Sequence, residues 1–339
     1  MKRFIFIKIH TKFLRILGDK IFLNTSKICK KYNFREKRVK SIFNPRKGKR
    51  NLNLFLEDYT INPYLGCSFD CVYCYINGSK YAKETNNFYV KSNARELVHK
   101  FLKRKFYDNE KAMLNLGSAS DPYMDIEKDL QLTRDILNIF LKFKYPVHII
   151  TKSELILRDI DILDKINKVA LLPDDLKEKL NSNVIISFSF STIDDDIAKL
   201  IEPNAPLPSE RLKTIKKLSK KGYKVGAVFM PILPYLSDDD EKLKIAICEF
   251  SKNNCDYVIP GALSLFGNGD LSSRIKYYKV IEEHYNEYLE DTKNLFWDKK
   301  SIINKEYPSN VYQNKLYKKV YDYCREFNIS TTIVKNEKF

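Results

Sequence analysis

The chain has 339 residues, 44% of them apolar and 30% charged, which is enough to bury one large α/β core or two ordinary ones. Seven cysteines without regular pairing spacing do not read as a secreted disulfide framework. No run of eighteen apolar residues occurs, and Lys8, His10, Lys12 and Arg15 break the apolar start, so neither a transmembrane segment nor a signal-peptide core is expected and the expected compartment is the cytoplasm.

The net charge of +17 is unevenly placed: residues 1–50 hold 17 lysines and arginines against Asp19 and Glu36, a net of +15, and the rest of the chain carries only +2. A basic N-terminal arm of this kind is suited to nucleic-acid phosphates or an anionic membrane surface. Phe6, Ile9, Phe13 and Ile16 fall on one helical face, and Lys8, Lys12 and Arg15 on another, as in an interfacial helix. The plainer reading is a solvated, lysine-rich extension without a partner.

From Asn51 onward short β-branched runs alternate with helical stretches, the pattern of parallel βαβ units. Strands are predicted near Tyr59 to Asn62, Ala112 to Leu116, Val147 to Thr151, Val184 to Phe190, Val225 to Met230 and Tyr257 to Ile259. Helices are predicted from Asn93 to Phe106, Asp129 to Phe143, Arg158 to Asn167, Ser209 to Lys221 and Asp238 to Asn253. Beyond them, Leu271 to Tyr288 and Val311 to Phe327 read as helices around a polar stretch containing Trp297. No Gly/Ser/Pro linker or repeat divides the chain. The expected organisation is an extension over residues 1–50, a main α/β body over 51–270 and a helical appendage over 271–339 packed on that body.

Three of the seven cysteines, Cys67, Cys71 and Cys74, lie within eight positions in "TINPYLGCSFDCVYCY". The spacing C-x-x-x-C-x-x-C lets one loop turn three thiolates toward a common metal or iron-sulfur cluster. A structural zinc site, or an electron-transfer cluster held by cysteine alone, takes four protein ligands. No fourth Cys or His stands nearby, so one metal position is expected to be open for chemistry on a bound molecule. Cys29, Cys248, Cys255 and Cys324 are scattered and read as ordinary thiols.

This loop resembles the signature of the radical SAM (S-adenosylmethionine) superfamily, including the aromatic Tyr73 before the third cysteine. "LGSASDPYMDIE", "LTRDIL", "ITKSELILRDIDIL", "ISFSFSTID", "IEPNAPLPSERL" and "GYKVGAVFMPILP" follow in order, and together they resemble the branch related to spore photoproduct lyase, often called DNA repair photolyases. The resemblance covers roughly residues 40–265. It implies a partial (β/α)6 TIM-like barrel, with its chemistry on the loops after the strands. It also implies a [4Fe-4S] cluster whose fourth iron is chelated by SAM, and a reducing electron donor such as flavodoxin or ferredoxin. One-electron cleavage of the sulfonium then yields methionine and a 5'-deoxyadenosyl radical that takes hydrogen from a substrate.

Carried over by motif, Cys67, Cys71 and Cys74 are the cluster ligands. Tyr73 lies against the adenine, Ser120 by the methionine moiety, Lys152 at the SAM carboxylate or ribose, and Ser189 matches the serine of the fourth strand. Ser187, one pleat earlier, shares its face. Tyr75 matches a tyrosine implicated in radical return. Three of these have a plainer alternative: a packed aromatic for Tyr73, a turn cap at Asp121-Pro122 for Ser120, a solvated strand-end lysine for Lys152. Arg158, Glu202 and Arg211 read as ion-pair partners within the barrel. One departure stands out. The lyases carry a hydrogen-donating cysteine two residues before the serine aligned with Ser120, and here that position is Ser118, whose O–H bond is too strong to replace a thiol. This argues against the spore photoproduct reaction itself.

The expected activity is therefore SAM-dependent radical chemistry on an unidentified substrate, with nucleic acid favoured slightly by the branch and the basic arm. The rivals are a non-catalytic nucleic-acid-binding protein with zinc or a cluster in the cysteine loop, and a SAM sensor without turnover.

Overall fold

The computed structural model describes residues 28, 31–32, 34–46, 54–79, 88–298 and 303–334. The predicted interfacial helix and most of the basic arm lie outside the described residues.

Short strands come first: β1 (Arg35–Lys37), β2 (Phe43–Pro45), β3 (Tyr59–Ile61), β4 (Tyr64–Leu65) and β5 (Tyr89–Lys91). The main run then alternates: α1 (Ala94–Tyr107), β6 (Leu114–Leu116), α2 (Glu127–Leu130), α3 (Leu132–Lys142), β7 (Val147–Thr151), α4 (Ile160–Val169), β8 (Val184–Phe190), α5 (Asp195–Ile201), α6 (Pro208–Lys220), β9 (Lys224–Ile232), α7 (Asp240–Lys252) and β10 (Tyr257–Ala262). The chain closes with α8 (Ser273–His284), α9 (Leu289–Phe296), two antiparallel two-residue strands (Trp297–Asp298 and Ile303–Asn304) and α10 (Asn310–Glu326).

Six parallel strands in the order β10-β9-β8-β7-β6-β3 form one sheet, and β2 is added antiparallel at the β3 edge. The two ends of this sheet do not pair with each other, so the α/β structure is an open, partial barrel of the expected kind. The strands read as near-continuous apolar runs because both faces are covered. Val147, Ile149, Ile186, Phe188, Val225 and Phe229 are all fully buried in the larger core between sheet and helices. A smaller core of Met113, Ile185, Tyr257 and Ile259 fills the other face.

The helices form for local reasons that the sequence displays. α3 puts Leu132, Ile136, Leu137 and Phe140 on its buried face. α6 opens with Pro208 in its first turn, and the Glu210 side chain accepts from the Leu207 backbone N–H at 2.9 Å. Two predicted helices begin late. Gln131 adopts a left-handed conformation (φ 52°) that separates α2 from α3, and a 3-10 turn over Glu154–Asp159 precedes α4. α5, α9, β1, β2, β4 and β5 were not predicted, since strands of two or three residues and helices of about two turns are too short to show a period. Residues 35–37 and 43–45, within the expected extension, pair with β5 and β3, anchored by the buried Ile42 and Phe43. At the other edge α10 buries Leu316, Val320 and Cys324, and Ser330 accepts from Val258 of β10 at 2.8 Å, which shields that edge strand.

Below the strand ends, the inner face carries a buried polar chain. His148 Nε2 meets Ser187 Oγ at 2.7 Å, Ser187 Oγ meets the Tyr257 hydroxyl at 2.8 Å, and His148 Nδ1 lies 3.1 Å from the Phe55 carbonyl. Gly226 makes this possible: a Cβ there would come 2.4 Å from the Tyr257 ring. Burial pulls the imidazole of His148 down to about 4. The unfolded chain therefore binds the proton first as pH falls, and stability is lost between the ordinary histidine value of 6.5 and about 4. The expected loss across that window is on the order of 3 kcal/mol. Urea unfolding at pH 7 and pH 4.5, compared with a His148→Gln variant, measures it; equal pH slopes for both proteins would contradict the assignment.

Candidate functional site

The cysteine loop follows β3 and β4 and is pinned from three sides. Val72 N–H donates to Ile201 O at the end of α5 (2.9 Å), and Asn204 N–H donates to Phe69 O (3.3 Å). Ser273 N–H at the start of α8 donates to Asn77 O (3.1 Å), and Lys276 pairs with Asp70 at 2.9 Å. Within the loop, Cys74 N–H donates to Cys71 O and Asn77 N–H to Cys74 O. Asp70 takes a left-handed φ of 47°, the kind of turn that Asp tolerates, and it turns the chain between the first two cysteines.

Cys71 is buried, and Cys67 and Cys74 are half-buried free thiols. They lie within one another's electrostatic reach: Cys71 feels both others, and Cys67 feels Cys74. Burial pushes the Cys67 thiol up to about 12 and raises Cys71 and Cys74 as well, while Lys152 pulls the other way on Cys71 and Cys74. Three neighbouring thiols in a dry pocket become thiolates only if a metal supplies the positive charge.

Lys152 follows β7, and its ammonium donates to Ser189 Oγ of β8 at 2.9 Å, standing 3.8 Å from Glu202 and 5.8 Å from the centre of the Tyr73 ring. Its backbone is fixed by Asp121, whose carboxylate accepts from Lys152 N (2.7 Å), Thr151 Oγ1 (2.7 Å) and Tyr123 N (2.8 Å). Burial works against the Lys152 charge, but Glu202 and then Cys71 outweigh it and raise its proton affinity. Glu202 is 2% exposed and bonds the hydroxyls of Tyr73 and Ser191 and the Arg211 guanidinium. Burial would raise its carboxyl, but Arg211 and Lys152 bring it down to about 2.

The structure thus brings Tyr73, Lys152 and Ser189 together beside Cys71. Ser120 is buried, its hydroxyl 3.4 Å from Tyr64 O, and the turn that the plainer reading had it cap is held by Asp121. Tyr75 is at the rim, 39% exposed, and donates to Ser118 O at 2.6 Å. Ser118 Oγ accepts from Asn62 Nδ2 at 3.0 Å, and Lys91 donates to Asn62 O at 2.6 Å. Asp121, Ser191 and the central place of Glu202 and Arg211 were missed by the sequence reading. The signals lay in the same segments, "SASDP", "FST" and "IEPNAPLPSERL", but linking them takes the fold.

The family model of the Radical SAM superfamily matches residues 61–244, more than half of the chain. The chain belongs to the radical SAM superfamily. An uncharacterized protein of Methanocaldococcus jannaschii is 33% identical over 185 residues, which is 53% of this chain and 62% of that protein. An uncharacterized protein of Mycobacterium tuberculosis is 26% identical over 192 residues, 55% of this chain and 52% of that one. The chain thus spans less than two thirds of the length of these relatives. Among solved structures, a spore photoproduct lyase point mutant superposes with a TM-score of 0.58 at 17% identity, covering 86% of this chain and 78% of that one. A double mutant of the same lyase with bound AdoMet and dinucleoside spore photoproduct gives 0.57 at 18% identity, with the same coverage. These likenesses show the fold.

Radical SAM proteins use a [4Fe-4S] cluster and S-adenosylmethionine. The donor set here fits such a group: three adjoining thiols, a cation beside them and two serine hydroxyls at the strand ends. Among the described residues no group of three or more His, Cys, Asp or Glu is placed to hold a metal ion as the structure stands, and no helix is long and apolar enough to cross a membrane.

Proposed function

We propose that this radical SAM protein is an enzyme in which Cys67, Cys71 and Cys74 hold a [4Fe-4S] cluster, with SAM bound against Tyr73, Ser120, Lys152 and Ser189. The observation that carries the reading is that three buried or half-buried thiols of one loop lie within electrostatic reach of one another, with the Lys152 ammonium acting on Cys71 and Cys74 from the end of β7. When bound and reduced by a flavodoxin- or ferredoxin-type donor, the pair supplies a 5'-deoxyadenosyl radical for hydrogen abstraction. The chain's own part is placement. Lys152 offers its charge to a carboxylate, Ser189 and Ser120 offer hydroxyls, and the buried Tyr73 closes the apolar side of the pocket.

Ser118 and Tyr75 form the rim that a substrate meets. The Ser118 hydroxyl accepts from Asn62 and is no hydrogen-atom donor, so the substrate reaction differs from that of spore photoproduct lyase, whichever group returns the hydrogen. Nucleic acid is favoured as substrate by the lyase-like fold and the basic first fifty residues.

The deciding experiment is 5'-deoxyadenosine formation, followed by mass spectrometry, from anaerobically reconstituted protein with SAM and dithionite after iron content is confirmed. Formation of the product supports the enzyme. A loaded protein that binds SAM but yields none, with or without DNA, supports the sensor; zinc in place of iron overturns the proposal.

A further inference from the structure

Glu202 sits at the end of α5, where the chain also braces the cysteine loop through Ile201 O and Asn204 N. A carboxylate kept only to pair with Arg211 would need no other partner. This one also takes the hydroxyl of Tyr73 from the cysteine loop and the hydroxyl of Ser191, at 2.6 Å, just past β8. The Lys152 ammonium from the loop after β7 stands 3.8 Å away. Three separate parts of the site therefore meet at one buried group.

The charges around it are not symmetrical. Arg211, 1% exposed, is fixed independently of Glu202, because Nε donates to Pro206 O at 2.8 Å and Nη1 to Ser189 O at 2.9 Å. Lys152 has a flexible stem and, among the described residues, only the Ser189 hydroxyl as a hydrogen-bond acceptor for its ammonium. Without the carboxylate two buried cations would face each other, and the one free to move is Lys152. The Tyr73 ring would lose its hydroxyl anchor at the same time.

We infer that Glu202 is a positioning residue that couples the cysteine loop to Lys152, holding the Tyr73 ring and the Lys152 ammonium in register before SAM arrives. The inference rests on the proposed assignment of Lys152 and the cysteines. Among the described residues Glu202 makes no hydrogen bond to a thiol, though its charge reaches Cys71; it acts through Tyr73 and Lys152, as outer partners of a metal site do.

Glu202→Gln is expected to retain iron and its visible absorbance after anaerobic reconstitution while its dissociation constant for SAM, from calorimetry, rises about tenfold or more. Tyr73→Phe, which removes one hydroxyl, is expected to weaken SAM binding less, and to have a smaller effect in the Glu202→Gln background, where Lys152 has already lost the carboxylate charge although the amide oxygen can still accept from Tyr73. If Glu202→Gln fails to fold, Ser191→Ala serves, since it removes one bond to the same carboxylate and leaves the thiols and Lys152 intact. A positioning role raises its SAM dissociation constant, whereas a purely structural role lowers only its unfolding temperature. A loaded Glu202→Gln or Ser191→Ala protein with wild-type SAM affinity would overturn the inference, as would a Tyr73→Phe effect that is the same in both backgrounds. Wild-type protein that holds no iron or binds no SAM would instead overturn the functional reading on which the inference rests.

Discussion

Cys71→Ala is expected to lose cluster and SAM cleavage together while the fold persists. Cys71 is the buried member of the trio, 9% exposed, and the Lys152 charge acts directly on its thiol. Removing one sulfur from a partly relaxed loop costs little stability, about 1 to 2 kcal/mol. The loop backbone stays pinned through Val72, Asn77 and the Lys276–Asp70 pair, none of which uses the thiol. Three ligands are the fewest that hold a cluster with one open iron, so two leave it without a stable seat. Deoxyadenosine formation should fall by more than the roughly hundredfold that loss of an outer partner costs. Iron analysis, circular dichroism and mass spectrometry on the same preparation check it. A variant with full iron and full product would refute the cluster assignment, and an unfolded variant would show that the loop needs the sulfur for packing.

Asp121→Ala should be the most destabilising single change at the strand ends. Its carboxylate takes three donors, Tyr123 N, Thr151 Oγ1 and Lys152 N, and so ties the turn after β6 to the end of β7. Gly117 precedes this turn with φ 96°, where a Cβ would lie 2.1 Å from Ile150 O, so the two strand ends approach closely there. Alanine leaves two backbone N–H groups and a hydroxyl without their acceptor, at a cost on the order of 3 to 5 kcal/mol in all. Because Lys152 N is one of those donors, the ammonium should lose its aim, and SAM affinity should fall with stability. Asp121→Asn, which keeps an acceptor for part of the set, should recover part of both. Urea midpoints and SAM calorimetry on the three proteins test this; a stable Asp121→Ala protein with normal SAM binding would show that the loop after β7 is held by other means.

Much of the fold was legible because its strands are long apolar runs and its helices amphipathic. Val147 to Thr151 and Val184 to Phe190 match β7 and β8 to the residue, since a strand buried on both faces is marked by β-branched and aromatic residues along most of its length. The short elements carried no such mark. β1 and β5 are three residues each, and they exist because their neighbours offer hydrogen bonds, which is tertiary context.

The cysteines were legible for a different reason: all three lie on one loop, so their spacing alone brings the thiols together. The residues around them lie far apart in the chain. Glu202 is 129 positions from Tyr73, with which it shares a hydrogen bond, and Lys152 is 37 from Ser189. In sequence Glu202 and Arg211 resemble any nearby ion pair on adjacent helical segments. Only the parallel sheet, which lines up the ends of β7 and β8 and returns α5 against the cysteine loop, turns that pair into the common partner of Tyr73, Ser191 and Lys152. The sequence by itself determined the alternation of strands and helices, the family and the gathering of three cysteines on one loop, because local periodicity, short motifs and local spacing carry them. The tertiary structure alone decided how Lys152 is aimed, what holds Tyr73 and which serines face one another, because those depend on contacts between segments that no local pattern links.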